Sequence, residues 1–378
     1  MRLHVDQRHD RVLEIVEQRG SLRVTELASE LGVSSVTLRR DIEILARQGK
    51  VRRLHGTVLW PEATAAAPAP VAPPVPVPVR SGEGIVVGMV VPSTDYYFAD
   101  VVRGAREAVE ARGGRLTIGL HRYLSGEDTA QSERLLATGV DGLLLTPRWD
   151  GGEALAGEGD WAGRLDVPVV LVERRAELSS PAAALDQVAT DHAYGVGAAV
   201  RHLAGLGHRR IALAAQESPT AAQLRSGHRA AVAALGLAEV PASPLDTVPS
   251  VSEADRFERT LDHLVDSVAH HGVTAVVVHS DADAVVLVPR LQSRGVKVPE
   301  ELAVVAYDDE VADLAGLPLT AVAPPKRAVG AAAAGLLLDR IAELRDGARA
   351  PAPRRHVELL PELRVRASSG GPVYLETT

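Results

Sequence analysis

The sequence contains no cysteine. That absence removes disulfides, thiolate metal sites, iron–sulfur clusters and thiol nucleophiles together. Aromatic residues make up only 3% of the 378 residues, so the cores must be built from Ala, Val and Leu, and any cluster of rings calls for a reason. Long apolar runs are also missing. The longest uncharged stretch, residues 63–79, contains six prolines, which excludes a membrane helix. The first ten residues, MRLHVDQRHD, lack the apolar segment of a secretory signal. A cytoplasmic protein with no membrane partner is expected. At 46% hydrophobic and 24% charged, the chain has ample material for cores, and its length suits more than one domain.

The net charge of −8 would by itself argue against a nucleic-acid partner. Its distribution argues otherwise. Residues 1–60 hold 11 Lys and Arg against 8 Asp and Glu, a balance of +3, whereas the remainder carries −11. A basic head on an acidic body is the asymmetry of a protein that meets a polyanion with one domain. Between them, residues 61–79 contain seven prolines and one charge, Glu62. Such a segment favours extended chain, a semi-rigid tether of roughly 20 residues. The expected division is a head at 1–60, a linker at 61–83, a body at 84–366 and a tail at 367–378.

In the head, Val12, Leu13, Ile15 and Val16 have near-helical spacing before Gly20. A second short helix starts after Thr25, a third after Ser34, and Gly49 ends the third. Residues 50–54 and 57–59 read as strands around His55-Gly56. Three helices and a hairpin make a winged helix-turn-helix. On the third helix, Leu38, Ile42 and Leu45 share one face, which leaves Val36, Thr37 and Arg40 pointing away from the core. An outward Val beside Thr and Arg suits a DNA major groove: a methyl contact, a base-edge or phosphate contact, and a guanine or phosphate contact. Ser35 opens this helix, Arg39 lies to its side, and Arg52, Arg53 and His55 in the wing would add phosphate contacts.

The runs Val24-Thr-Glu-Leu-Ala28, Val33-Ser-Ser-Val-Thr-Leu-Arg-Arg-Asp41 and Val51-Arg-Arg-Leu-His-Gly56 resemble the DeoR-family DNA-binding domain. The resemblance implies operator binding through the helix beginning at Ser35. It departs at Thr57, where that family usually has a second glycine.

In the body, apolar runs at 85–91, 116–120, 142–146, 167–172, 211–215, 275–279 and 303–307 alternate with helical stretches at 98–112, 193–206, 221–235, 253–271 and 282–294. Alternating strand and helix means parallel α/β sheets, and so long a segment suits two lobes. Ligands in such folds sit beyond the carboxyl ends of strands. That rule selects Pro92-Ser-Thr-Asp-Tyr-Tyr-Phe98, Glu173-Arg174-Arg175 and Ser280-Asp281, where carboxylates, guanidiniums and rings suit a polyol. Asp191 reads as a helix cap, and Gly195-Val-Gly197 as packing inside a helix.

Gly88-Met-Val-Val-Pro92, Gly139-Val-Asp-Gly-Leu143, Val167-Pro-Val-Val-Leu-Val-Glu-Arg174, Leu206-Gly-His-Arg-Arg-Ile211 and Val298-Pro-Glu-Glu-Leu-Ala-Val-Val-Ala-Tyr-Asp-Asp309 resemble the sensor domain of the LacI/GalR family. The resemblance implies a two-lobed, periplasmic-binding-protein-like α/β fold with three crossovers, a homodimer, and a sugar-like effector bound between the lobes. The positions it carries over for ligand contact are Tyr97, Phe98, Glu173, Arg174, Arg225 and Asp281. The sequence departs at Ala323-Pro324-Pro325, where the family often places a ligand-contacting Gln. The family's own helix-turn-helix and hinge helix are replaced by the DeoR-like head and the proline tether.

The expectation is therefore a transcriptional regulator, a repressor, that binds operator DNA and a small-molecule effector. No nucleophile–base pair, phosphate loop or spaced His cluster stands out, so no enzyme activity, metal or cofactor is expected. The alternatives are a regulator whose sensor has lost its ligand, and a sugar-modifying enzyme with an accessory DNA-binding head.

Overall fold

The computed structural model describes residues 84–370, except 125, 150–160, 177, 216–217, 241–252 and 347–351, together with scattered positions up to Leu59. The chain separates into two compact units, Met1–Gly82 and Glu83–Thr378.

In the first unit, strand β1 (Ser21–Arg23) pairs with β3 (Thr57–Leu59), which also pairs with β2 (Arg52–Leu54), all antiparallel. The β2–β3 hairpin is the expected wing. Strand β1, directly after Gly20, joins the sheet in addition to the expected hairpin. Val12, Ile15, Val16, Leu27, Ile42 and Leu45 are all buried, as the helical spacing of the head requires. Leu38 and the proline-rich linker lie outside the described residues.

The second unit has two lobes. The first is a six-stranded sheet in the order β13-β8-β7-β6-β4-β5, whose strands are β4 (Val86–Val91), β5 (Arg115–Leu120), β6 (Gly142–Leu145), β7 (Val169–Val172), β8 (Asp186–Thr190) and β13 (His356–Leu359), all pairings parallel. The second is a five-stranded sheet in the order β14-β12-β11-β10-β9, built from β9 (Ile211–Ala215), β10 (Ala275–His279), β11 (Ala303–Tyr307), β12 (Thr320–Ala323) and an antiparallel edge strand, β14 (Glu362–Arg364). Central strands such as VVLV and GLLL are buried at every position, because helices cover both faces of a parallel sheet. The edge strand β13 exposes His356 and Glu358, whereas β5 exposes Arg115 and Ile118.

The helices are α1 (Tyr97–Ala111), α2 (Glu127–Ala137), α3 (His192–Gly205), α4 (Ala221–Ala234), α5 (Glu253–His271), α6 (Asp281–Ser293) and α7 (Lys326–Arg345). Asp191 caps α3 by accepting the Tyr194 amide at 2.8 Å, and Gly195 lies inside that helix against Tyr307 and Pro361. Among the described residues, no helix is long and apolar enough to cross a membrane.

The chain passes between lobes three times. It leaves the first after β8, returns at Pro324-Pro325 between β12 and α7, and crosses again at Leu360-Pro361 between β13 and β14. Helix α7 packs Val329, Ala333, Leu337 and Ile341 into the first lobe's core with α1 and β4. The α1–α7 crossing is so close that a Cβ at Gly104 would stand 1.9 Å from the Arg327 carbonyl oxygen, and one at Gly330 equally close to that of Val101. Helix α7 is also tied to β8 through Arg340, whose fork grips fully buried Asp186 at 2.8 and 2.9 Å. The packed sequence runs beyond Arg366. Ser368 is buried between β11 and β12, where its hydroxyl donates to Val304 O at 2.6 Å and accepts from the Thr320 amide at 2.9 Å.

Candidate functional site

Six strained backbone positions mark one edge of the two sheets. Tyr96 (φ 50°), Arg122 (φ 50°), Tyr123 (φ 57°), Glu173 (φ 53°), Asp308 (φ 95°) and Asp309 (φ 55°) are non-glycine residues with positive φ, and they follow β4, β5, β7 and β11. Such conformations cost about 1–3 kcal/mol each and gather where the surrounding structure must aim a side chain. Here they gather at the carboxyl ends of parallel strands.

On the first lobe, Glu173 is the hub. Its Oε1 accepts the Tyr97 hydroxyl at 2.7 Å and the Thr190 hydroxyl at 2.8 Å, and its Oε2 accepts the Thr190 amide at 3.0 Å. His192 Nε2 stands 3.7 Å from Oε2. Burial is the largest single influence and pushes the carboxyl up. His192, the Thr190 amide and the Tyr97 hydroxyl together outweigh it and hold the pKa at about 2. Next to Glu173, the buried Arg174 donates Nε to Pro147 O at 2.9 Å and Nη1 to Glu173 O at 2.7 Å.

The second lobe is organised around Asp281, the first residue of α6 and fully buried. Its Oδ2 accepts the amides of Glu310 and Val311 at 2.6 Å each and of Ala312 at 3.0 Å. Its Oδ1 accepts the Tyr96 hydroxyl, which comes from the first lobe. Beside it, Tyr307 Oη lies 3.1 Å from His192 Nδ1, and His279 Nε2 lies 3.7 Å from Asp308 Oδ2. Lys326, at the second crossover, reaches Asp308 O and the Glu310 carboxylate, with its ammonium 5.3 Å from the centre of the Tyr97 ring. Among the described residues, no group of three His, Asp or Glu side chains is arranged to hold a metal.

Two of these groups titrate in opposite senses. Burial, with Asp281 and Glu310 nearby, raises Asp308 from 3.8 to about 7. Burial, reinforced by His192, lowers His279 from 6.5 to about 4. Between about pH 4 and 7 the folded state therefore keeps a proton on Asp308 that the unfolded chain has lost, so this group's contribution to stability falls as pH rises. Over nearly the same window the unfolded chain keeps a proton on His279 that the folded state has lost, so that contribution rises with pH. Asp308→Asn removes the first slope and leaves the second. Its melting temperature is expected to climb from pH 4.5 to 6.5 more steeply than that of the parent, and parallel profiles would contradict the assignment.

Of the residues selected from sequence, Tyr97 and Glu173 come together on the first lobe, Arg174 turns instead to the Pro147 and Glu173 carbonyls, and Asp281 lies at the corresponding edge of the second. Arg225 is half-buried on α4. Phe98 is placed elsewhere: it is 7% exposed and packs with Val87, Val101, Ala105 and Val109 in the first lobe's core. Helical spacing explains this, since 98, 101 and 105 share a face of α1. The ring that reaches Asp281 belongs to Tyr96, which sequence reading passed over along with His192, Tyr307 and Lys326. Tyr96 stands within the aromatic triplet, and His192 lies two residues past the end of β8; nothing in the sequence singles out Lys326. Of Ala323-Pro324-Pro325, the departure at a ligand position, Ala323 ends β12 and Pro324 is buried in the second crossover. In the head, Arg52 and Arg53 lie on β2. Ser35, Val36, Thr37, Arg39, Arg40 and His55 lie outside the described residues.

Residues 8–64 match a DeoR-like helix-turn-helix domain, and residues 200–369 match a periplasmic binding protein-like domain. A transcriptional regulator of Streptomyces limosus, itself uncharacterized and encoded in an aml 5′ region, is 35% identical over 184 residues, 48% of this chain and 50% of that protein. The chain thus spans about half the length of that relative. The transcriptional repressor PurR of Vibrio atlanticus is 29% identical over 68% of this chain and 74% of its own length. The crystal structure of a LacI family transcriptional regulator from Mycobacterium smegmatis is 29% identical, covers 75% of this chain and 98% of that one, and superposes with a TM-score of 0.58. The chain is a DeoR-like helix-turn-helix domain joined to a periplasmic-binding-protein-like domain of the kind found in LacI-family transcriptional regulators.

Proposed function

We propose that this chain is a cytoplasmic, homodimeric transcriptional repressor whose affinity for operator DNA is set by a small sugar-like effector bound between the lobes of the body. The observation that carries the reading is the strained, polar strand edge shared by two lobes, in a chain whose first 64 residues contain a DNA-binding domain. Tyr97, Glu173, Arg174, Arg225 and Asp281 form or border the effector site. Ser35, Val36, Thr37, Arg39 and Arg40 enter the major groove, while Arg52, Arg53 and His55 hold phosphates. The site senses and does not catalyse. Two heads in a symmetric dimer would read half-sites separated by a whole number of helical turns. Effector and operator then influence one another reciprocally, through movement of the lobes about three crossovers.

The test is fluorescence anisotropy of labelled DNA from upstream of this chain's own gene, titrated with pentoses, hexoses and their acidic and phosphorylated forms. At least one class should change operator affinity by about 5-fold or more. Intact DNA binding that no member of the panel alters would contradict the sensor assignment.

A further inference from the structure

The acids that would ordinarily clamp a neutral polyol are already occupied. Glu173 is saturated by Tyr97 and Thr190, and Asp281 by three amides and Tyr96. Asp309 is held by Arg364 at 2.7 Å and Arg366 at 2.6 Å. What remains uncompensated is a cation. Arg174 is only 7% exposed, and both of its hydrogen-bonded nitrogens donate to backbone carbonyls. Its Nη2 has no partner among the described residues, and its two side-chain hydrogen bonds go to carbonyls and to no carboxylate. Buried arginines are almost always paired, because an isolated charge loses its hydration without recompense.

The carbonyls that orient Arg174, those of Pro147 and Glu173, lie just past β6 and β7, so the guanidinium runs along the carboxyl edge of the first lobe's sheet. His121, directly after β5, is buried near it; burial lowers the imidazole against the raising effect of its bond to Thr146 O and of the Asp128 carboxylate, and Arg174 and Arg148 depress it further. Two other buried side-chain atoms lack partners among the described residues, Trp149 Nε1 and His279 Nδ1. Both are ring nitrogens on residues at strand ends, and the indole is a donor only. Arg174 Nη2 and Trp149 Nε1 are thus buried donors without acceptors among the described residues.

We infer that the effector carries an acidic group, a carboxylate or a phosphate, and that this group seats on Arg174. The inference rests on the reading that the cleft binds a small effector, and it narrows the class of that effector. A guanidinium fork matches either anion through paired N–H donors.

The test is the melting temperature of the full chain in sodium phosphate, sodium gluconate, neutral glucose with sodium chloride, and sodium chloride alone, at matched pH and ionic strength. Phosphate or gluconate should raise it about 2–5 °C above chloride, and glucose should not. A rise with phosphate alone assigns a phosphoryl group, and a rise with gluconate alone a carboxylate. Arg174→Met should abolish the rise. If that variant does not fold, Arg174→Lys, which keeps the charge but loses the fork, should lose at least about half of the rise. Equal melting temperatures in all four salts, or a rise that Arg174 substitution leaves intact, would overturn the assignment. Operator binding by the same preparation in chloride separates the two readings: if it persists without any anion effect, only the acidic effector falls, and if it is absent, the regulator reading falls as well.

Discussion

Asp281→Ala is expected to destabilise the body by about 3–5 kcal/mol, a loss readable by urea or thermal denaturation. The expectation follows from what the carboxylate holds. It is fully buried, opens α6, and accepts three consecutive amides from residues 310–312 as well as the Tyr96 hydroxyl across the lobes. Removing it leaves three inward-pointing N–H groups without an acceptor, and each unsatisfied buried donor costs about 1–3 kcal/mol. Asp281→Asn keeps one acceptor oxygen and should recover part of the loss. Tyr96→Phe removes only the inter-lobe hydroxyl and should cost about 1 kcal/mol. Equal stability of the Ala variant and the parent would show that the loop at 310–312 does not depend on Asp281. The position therefore anchors the second lobe as well as bordering the site.

Arg40→Ala should weaken binding to the specific operator about 10–100-fold, while affinity for random DNA falls much less. Helical spacing predicts that Arg40 faces away from Ile42 and Leu45, both of which are buried in the head. Arg52→Ala, on β2 of the wing, should behave differently. Losing a phosphate contact lowers affinity by a similar factor on every sequence and reduces the slope of binding against salt by about 1. An Arg40→Ala variant that loses specific and random affinity equally would move Arg40 from base reader to phosphate contact. Neither substitution should alter the melting of the body, because the two act in a separate unit.

The legible parts of this fold were those where one physical requirement dominates. Central strands of a parallel sheet must be apolar on both faces, so β4, β6, β7, β10 and β11 appear as unbroken apolar runs. Strand β8, Asp-Gln-Val-Ala-Thr, did not, because its polar residues are buried against specific partners: Asp186 against Arg340, Gln187 against His356, and Thr190 against Glu173. Helix α7 escaped for another reason. It is enclosed by α1 and the first lobe's sheet, and its run of Ala and Gly has no clear polar stripe. At the site, the strand-end rule located Glu173, Arg174 and Asp281. It could not foresee that both acids are satisfied within the protein, since their partners lie up to 185 residues away in sequence. Charge behaved similarly. The average of −8 conceals a +3 head and a −11 body, and only the separate values point to DNA.

The most direct test of the account is the affinity of the purified full chain for DNA from upstream of its own gene, compared with scrambled DNA of equal length at the same salt. A specific regulator should prefer a short palindromic site about 10³-fold or more over the scrambled sequence, and that preference should collapse in Arg40→Ala. Equal affinity for both DNAs, falling with salt in the same way, would reduce the head to a nonspecific cation and contradict the account.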